Sequence, residues 1–414
     1  MLKLCSDSST MALDKDQIYF KFSAKGIDLN LISKDWTMNH IELIYLKVKN
    51  TINIFPDQTF YGNKNMETVI VEQLLYRYER EINRAHRSVL KKICEGDDTP
   101  AGLFVFFIKE INQFELLLSD GWYSLWTLID MPLKKLVEKG KLFVGQKIQV
   151  TNLGLIKSDP CPILEAEQLG FKLRIVYNST RMCRWHVKLG RQSSKTFIRP
   201  FNTAVPDGGL VPCLDMVVLK RYPDVVTVSF EDGRSSEKSK REWENILNNP
   251  LETEERPIGA TKAVRMICRD KISNSLVRVK IFALLEDLSD KLVMGRSLRL
   301  LNLKPVGSGG SFELRVYQGG RQVIPMGIST DIVYQAVGFD DVESFENGKE
   351  YSGFLTIIRQ NSGENFVWTL TTKGKLISIQ LGSHGLVLPK FCNQVVCAML
   401  TVFSHFVIGE RPIS

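Results

Sequence analysis

In short stretches between positions 277 and 317 of this 414-residue chain, basic and apolar side chains alternate residue by residue. Val277-Arg278-Val279-Lys280-Ile281 and Leu298-Arg299-Leu300 show the pattern, and Arg315 and Tyr317 stand two apart. A period of two is that of an extended strand. Arg278 and Lys280 therefore fall on one face while Val277, Val279 and Ile281 fall on the other. Such a face can track phosphates with its cations and stack a base on its aromatic, at ~1–3 kcal/mol per stacked base. Lys304 and Arg321 extend the basic set, and Arg359 with Trp368 forms a sparser pairing further along. An antiparallel strand with one side in water alternates in the same way. The density of charge favours binding over that reading.

The charge is also localised. The chain carries 54 Lys+Arg against 46 Asp+Glu, a net +8. Residues 261–330 alone hold 12 basic and 5 acidic residues, a net +7. Catalytic chemistry is poorly represented by comparison. No Walker-type Gly-x-x-x-x-Gly-Lys, Gly-x-Ser-x-Gly, His-Glu-x-x-His or ligase-type Lys-x-Asp-Gly occurs. Asp120-Gly121, Asp207-Gly208 and Asp232-Gly233 suit turns better than acid–base work. The eight cysteines contain no Cys-x-x-Cys, and Cys392 and Cys397, with His405 beyond, read as strand residues rather than metal ligands. No catalytic residue, metal site or cofactor is expected. No apolar run reaches the ~18 residues of a membrane span, and the start lacks a signal-peptide core, so a soluble intracellular protein without a membrane partner is expected.

The elements that must position these residues follow from periodicity. Residues 32–92 alternate at helical spacing, interrupted at Pro56, while the polar first 17 residues read as a frayed start. After Asp97-Asp98-Thr99-Pro100 the pattern turns to strands: 103–108, then a hairpin of 114–118 and 122–129 about Asp120-Gly121, a short helix at 132–137, and strands at 146–150 and 171–176. That order is the five-stranded barrel of the oligonucleotide/oligosaccharide-binding (OB) fold. It recurs at 263–272, 275–285, a helical piece 287–292, 296–303 and 312–318. A third version runs 351–358, 366–370, 376–381 and 394–400 and stops before a last strand. A short helix about Trp243 is expected within 239–248. Trp122, Tyr123 and Trp126 lack basic neighbours and read as packing or protein-contact residues.

The helical stretch carries Arg77, Arg80, Arg84, Arg87, Lys91 and Lys92. An exposed helix face with spaced ion pairs explains most of them; an acidic protein partner is the sharper alternative.

Certain runs of residues resemble a known family. They are Ile32-Ser33-Lys34-Asp35-Trp36, Asn39-His40, the run from Val71 to Arg84, Arg87-Ser88, Asp97-Asp98-Thr99 and Asp120-Gly121-Trp122-Tyr123. Val144-Gly145-Gln146-Lys147-Ile148, Asn178-Ser179-Thr180-Arg181, Arg184 to Gly190, Asp207-Gly208-Gly209 and Arg221-Tyr222-Pro223 continue the set. Together they resemble the C-terminal DNA-binding region of the breast cancer type 2 susceptibility protein family, densely over about 30–223 and sparsely over 261–408. The resemblance implies a mixed α and β multidomain chain, an α-helical domain followed by three tandem OB-fold barrels. The expected boundaries are a flexible N-terminus 1–29, a helical domain 30–97, a first barrel 98–220, a second 221–338 and a short third 339–414. The family's long helical tower would be reduced here to a tower-like insertion at about 231–259.

The resemblance further implies single-stranded DNA binding in nuclear double-strand break repair by homologous recombination. The DNA-contacting candidates are Arg278, Lys280, Arg299, Lys304, Arg315, Tyr317, Arg321, Arg359 and Trp368. It implies a small, very acidic partner, the split hand/split foot deletion protein. The candidates for that contact are Trp36, His40, Lys47, Arg77, Arg84, Arg87, Trp122, Arg184 and Trp185. A RecA-like strand-exchange recombinase is the other implied partner. No Phe-x-x-Ala docking element for it is visible, since Phe22-Ser23-Ala24 has the wrong spacing. A short homologue of the family is expected. The competing readings are a protein-interaction scaffold whose barrels no longer hold DNA, and a general single-strand binder of the replication protein A type.

Overall fold

Asp14 opens the first described element of the computed structural model by accepting a hydrogen bond at its side chain from Gln17 N, which caps helix α1 (Lys15–Ser23). The structure describes residues 14–54, 65–156, 159–222, 224–230, 234–239, 242–244, 257–283, 286–289, 291–308, 311–328, 337–338, 350–360, 366–371, 376–380 and 395–401. It divides into two units, 1–329 and 330–414.

In the first unit, α1 packs through Ile18 and Phe22, both fully buried, against α2 (Lys34–Ile54) and α3 (Met66–Tyr78). Residues 15–29 were expected in a flexible N-terminus. Instead, two apolar side chains one turn apart suffice to dock an otherwise polar segment. A wide π-type turn (Glu79–Asn83) follows α3, and α4 (Val89–Cys94) completes the helical domain.

The first barrel is β1 (Leu103–Ile111), β2 (Glu115–Ser119), β3 (Ser124–Ile129), α5 (Met131–Glu138), β4 (Lys147–Thr151), β5 (Gly154–Ile156) and β6 (Lys172–Ile175). Strand β1 pairs antiparallel with β2 and β4, β3 runs parallel to β6, and β5 pairs with β6. Taken as one strand bent at Asn152, β4 and β5 close the ring, which is the OB order. Short strands β7 (Thr180–Met182) and β8 (Gly190–Arg191) flank it on β4 and β1.

The second barrel begins earlier than expected. Strand β9 (Val211–Arg221) lies, all but its last residue, within the 98–220 span assigned above to the first barrel, yet it pairs with β12 (Pro257–Asp270) and β14 (Arg296–Ser308). Its apolar stretch, interrupted only at Asp215, fits a strand whose two edges are both taken. Between β9 and β12 stands the hairpin of β10 (Val225–Phe230) and β11 (Ser235–Ser239), which adds to β12. The insertion therefore starts before 231. Of the helix expected around Trp243, residues 242–244 are helical, and the rest of 239–248 apart from 239 lies outside the described residues. Strand β13 (Leu276–Phe282), helix α6 (Glu286–Ser289), β14 and β15 (Ser311–Val316) complete the ring, with β13 parallel to β15 and β15 antiparallel to β14. Helix α7 (Gly319–Gln322) and β16 (Val323–Ile328) follow, β16 on the edge of β14.

The two barrels share one device. Asn152 and Asn302 both adopt positive φ, +54° and +51°, at the point where the fourth strand passes from pairing with the first to pairing with the fifth. Each is followed by a buried leucine, Leu153 or Leu303. The two side chains meet: Asn152 Nδ2 donates to Asn302 Oδ1 at 2.6 Å. Arg199 fastens the connecting segment, its guanidinium donating to the carbonyls of Tyr177, Asn178, Thr180 and Thr203.

The second unit holds β17 (Val337–Gly338), β18 (Glu350–Gln360), β19 (Phe366–Thr371), β20 (Leu376–Gln380) and β21 (Val395–Thr401). Its order is β17-β18-β19-β20 with β21 on β18. Among the described residues no strand bridges β20 to β21.

Candidate nucleic-acid interface and the buried junction

On the second barrel, Val277, Val279 and Ile281 enter the core with Leu314 and Val316. Their neighbours Arg278, Lys280 and Phe282 on β13, and Glu313 and Arg315 on β15, take the outer face, with Tyr317 just beyond. Register arranges them in rows across adjacent strands. Arg278 stands opposite Glu313, and Lys280, Arg315 and Lys304 form one line across β13, β15 and β14. The next row is aromatic: the Phe282 and Tyr317 rings stack at 5.3 Å with 4° between planes. Lys280 Nζ lies 4.6 Å from the Phe282 centroid and Lys304 Nζ 6.0 Å from that of Tyr317. Tyr317 is 46% exposed.

Three cations side by side on neighbouring strands disfavour the sheet unless something anionic faces them. Glu313 neutralises part of this row, accepting from Arg315 Nε at 2.9 Å. The candidates are not equally available. Lys280 is buried beneath the insertion hairpin, where its Nζ donates to Thr227 Oγ1 at 3.2 Å, so it does not share an open face with Arg278. Arg299, partly exposed, is already paired. Its Nε and Nη2 each donate to an Asp215 oxygen at 2.7 Å, and these hydrogen bonds to Asp215 raise its pKa. Arg321 is exposed on α7. Arg359 and Trp368 face each other in the β18–β19 register, and their side chains lie outside the described residues. Phe282 was missed, although the alternation from Val277 reaches it if carried one residue past Ile281.

The residues expected to dock an acidic partner divide differently. Trp36, His40 and Arg77 are buried, at 4%, 0% and 7% exposure, and so are not surface groups. They belong to a polar knot between the helical domain and the first barrel. Its centre is Glu81, swung inward by the wide turn after α3. Glu81 Oε2 accepts from Trp36 Nε1 at 3.1 Å and lies 3.3 Å from His40 Nε2, and Oε1 accepts from Lys91 Nζ at 2.8 Å and Tyr123 Oη at 2.6 Å. Burial raises its pKa, but the hydrogen bonds from His40, Lys91 and Tyr123 outweigh that and bring it to about 2.

Arg77 Nη1 stands 2.7 Å from His40 Nδ1 and Nη2 donates to Gly121 O at 2.8 Å, with the guanidinium 5.1 Å from the centroid of the half-buried Trp122. An arginine can only donate, so Nδ1 accepts and the imidazole proton sits on Nε2, toward Glu81. Burial, then the Arg77 charge, holds the His40 pKa down to about 4 against the pull of Glu81. Asp120 closes the knot, its carboxylate accepting from Leu90 N, Trp122 N and Tyr123 N. The Asp-Gly turn expected at 120–121 forms, with Gly121 at φ +90°. It is at once a hairpin turn and the docking point of the helical domain.

The remaining partner candidates are exposed or partly so. Lys47 donates to Gln73, Arg84 pairs with Glu79, and Arg87 pairs with Glu95 and Asp97. Arg184 and the 66%-exposed Trp185 stand on the segment after β7. The described residues contain no cluster of three or more His, Cys, Asp or Glu able to hold a metal, and no helix among them is long and apolar enough to cross a membrane.

A helical domain fixed to the first of a series of OB barrels defines a class of modular binding protein. The family model described as "BRCA2, helical" matches residues 4–85, and "BRCA2, oligonucleotide/oligosaccharide-binding, domain 1" matches 88–193. The chain is BRCA2-like across these residues. Two Arabidopsis thaliana proteins, BREAST CANCER SUSCEPTIBILITY 2 homolog B and homolog A, are each 28% identical over 264 residues, covering 59% of this chain. The chain spans 23% of the length of each of these curated relatives. Among solved structures, the tetrameric p202 HIN2 overlaps 47% of this chain and 85% of its own at 14% identity and a TM-score of 0.26, too slight a likeness to carry an argument.

Proposed function

We propose that the chain binds single-stranded DNA on the outer face of its second barrel and acts, without catalysis, in double-strand break repair by homologous recombination. The observation that carries the DNA half is the Phe282–Tyr317 stack beside the Lys280–Arg315–Lys304 row. Of that row Arg315 and Lys304 meet phosphates, Lys280 being covered by the hairpin, and the exposed ring of Tyr317 offers a base a surface to stack on. The repair role, a nuclear location, a small acidic partner and a RecA-like recombinase rest on the BRCA2-like half. The partner surface proposed here is reduced to exposed groups: Lys47, Arg84, Arg87, Arg184 and Trp185.

A titration of fluorescent oligo-dT by anisotropy at two salt concentrations tests the DNA half. Affinity should fall as salt rises. Tyr317→Ala should weaken it by about 1–3 kcal/mol, roughly 5- to 150-fold. No binding, affinity indifferent to salt, or a Tyr317→Ala protein that binds like the parent overturns the reading. A scaffold without DNA affinity is the second reading, favoured by Arg299 being held by Asp215 and Lys280 lying under the hairpin. It predicts that the same titration is flat. The docking of the helical domain on the first barrel speaks against a general replication-protein-A-type binder.

A further inference from the structure

Two cysteines from different domains meet at the edge of the first barrel. Cys94 ends α4 of the helical domain, and Cys161 lies in the connection between β5 and β6. Their sulfurs are 3.4 Å apart, though 67 residues separate them in the chain. The backbones are joined as well, Cys161 N donating to Cys94 O at 3.0 Å. A disulfide needs both its backbones and its sulfurs close, and here the backbones touch through that bond while the sulfurs are already at van der Waals distance. One step along, Gly96 lies so close to Pro160 that a Cβ on the glycine would come within 3.0 Å of the proline ring. The two segments are pressed together over several residues, and the thiols need to close only a short distance.

We propose that Cys94 and Cys161 form a reversible disulfide, an oxidative modification site that ties the helical domain to the first barrel's loop between its fourth and fifth strands. The oxidant is a peroxide or a small-molecule disulfide. With hydrogen peroxide, the half-exposed Cys161 attacks one oxygen as its thiolate. The O–O bond breaks, leaving a sulfenic acid and one water. The Cys94 sulfur then attacks the sulfenyl sulfur. The S–S bond forms as the S–O bond breaks, and the departing hydroxide takes the Cys94 proton to leave as a second water. Two thiols lose two electrons and two protons, and the peroxide gains them. With a disulfide oxidant, two exchanges leave the protein disulfide and two reduced thiols.

Burial of Cys94 raises its thiol pKa, which makes Cys161 the first to react and Cys94 the resolving partner. In a reducing compartment the pair rests as thiols, and cysteine pairs of that kind act in redox sensing when they do close. The loop concerned is one of those that line ligand grooves in OB folds, and it also supplies Glu167, whose carboxylate accepts from Trp126 Nε1. Oxidation therefore fixes a loop of the first barrel without touching the cationic row of the second.

The test treats the reduced full chain with hydrogen peroxide or oxidised glutathione, alkylates the remaining thiols and maps peptides by mass without reductant. The expected product is a Cys94–Cys161 linked peptide that dithiothreitol reverses and that Cys161→Ser abolishes. In Cys94→Ala the chemistry should stop at Cys161, trapped by dimedone as a sulfenic acid. The oxidised parent should melt higher than the reduced one by on the order of 5–10 °C. Alkylation of both cysteines while others have oxidised overturns the proposal, as does a linked peptide joining Cys161 to a different cysteine. Should Cys94→Ala not fold, the half-exposed Cys161→Ser still decides it.

Discussion

Acidification should loosen this protein through the buried imidazole of His40 before its carboxylates respond. His40 is fully buried, its Nδ1 is occupied by the Arg77 guanidinium, and its pKa sits at about 4 against an ordinary 6.5. A group whose folded pKa lies below its unfolded one contributes stability that is intact above the unfolded value and is lost as pH falls toward the folded one. The window for His40 therefore opens near 6.5 and closes near 4. At about pH 5 the unfolded chain carries the proton and the folded chain does not, a difference of about 2 kcal/mol, or roughly 30-fold in the folded-to-unfolded ratio. Glu81 acts in the same direction but lower, between 4.5 and about 2, so the upper part of the window belongs to imidazoles: His40, and His86, whose pKa burial and then its basic neighbours also lower. Urea titrations at about pH 7.5 and about pH 5 measure the loss. Trp36, whose ring lies 4.3 Å from that of His40, serves as the fluorescent reporter. His40→Gln keeps one donor and one acceptor but cannot titrate, and it should shed about 2 kcal/mol less over the same interval. If His40→Gln and the parent lose equal stability on acidification, the assignment of the neutral Nε2–H tautomer and the reasoning built on it are wrong.

Other outcomes follow from the same geometry. Arg299→Ala should leave oligo-dT affinity and its salt slope within error of the parent, because Asp215 already holds that guanidinium, whereas Lys304→Ala should lower the slope by about one phosphate's share. Gly209→Ala should destabilise by about 2 kcal/mol or more, read as a lower urea midpoint: its φ is +73° and a Cβ would meet Val176 Cγ2 at 2.7 Å. Asn152→Gly tolerates the backbone but loses the amide bond to Asn302. Proteolysis of the connecting segment around Arg199 should then quicken while each barrel keeps its strand content by circular dichroism.

Much of the fold is legible because it is local. The hairpin at Asp120-Gly121, the alternation of 277–281 and the helical spacing of 68–93 each report on neighbours in sequence. What escaped depends on partners far away. Helix α1 buries only Ile18 and Phe22, too little apolar signal to distinguish it from a frayed end. Strand β9 was assigned to the wrong barrel because nothing in Val211–Arg221 says which sheet its edges join. The site shows the same divide. Alternation places Lys280, Arg315 and Tyr317 on outer faces, but not that Thr227 covers Lys280 or that Asp215, 84 residues away, holds Arg299. Arg77 and His40 look like surface cations in a charged helix. Only the wide turn that brings Glu81 inward makes their burial affordable.

The meeting of Asn152 with Asn302 has a consequence for how such a chain can grow. Matching positions of two copies of one fold touch each other, so the contact uses the same residue on both sides, as across a dyad, and not the two different surfaces of a head-to-tail step. A head-to-tail contact leaves a complementary surface at each end and can be repeated indefinitely. A dyad consumes both of its halves, so this joint makes a pair and then stops. The first two barrels behave at this joint as a closed dimer written into a single polypeptide, and no further copy can be added to them by the same contact.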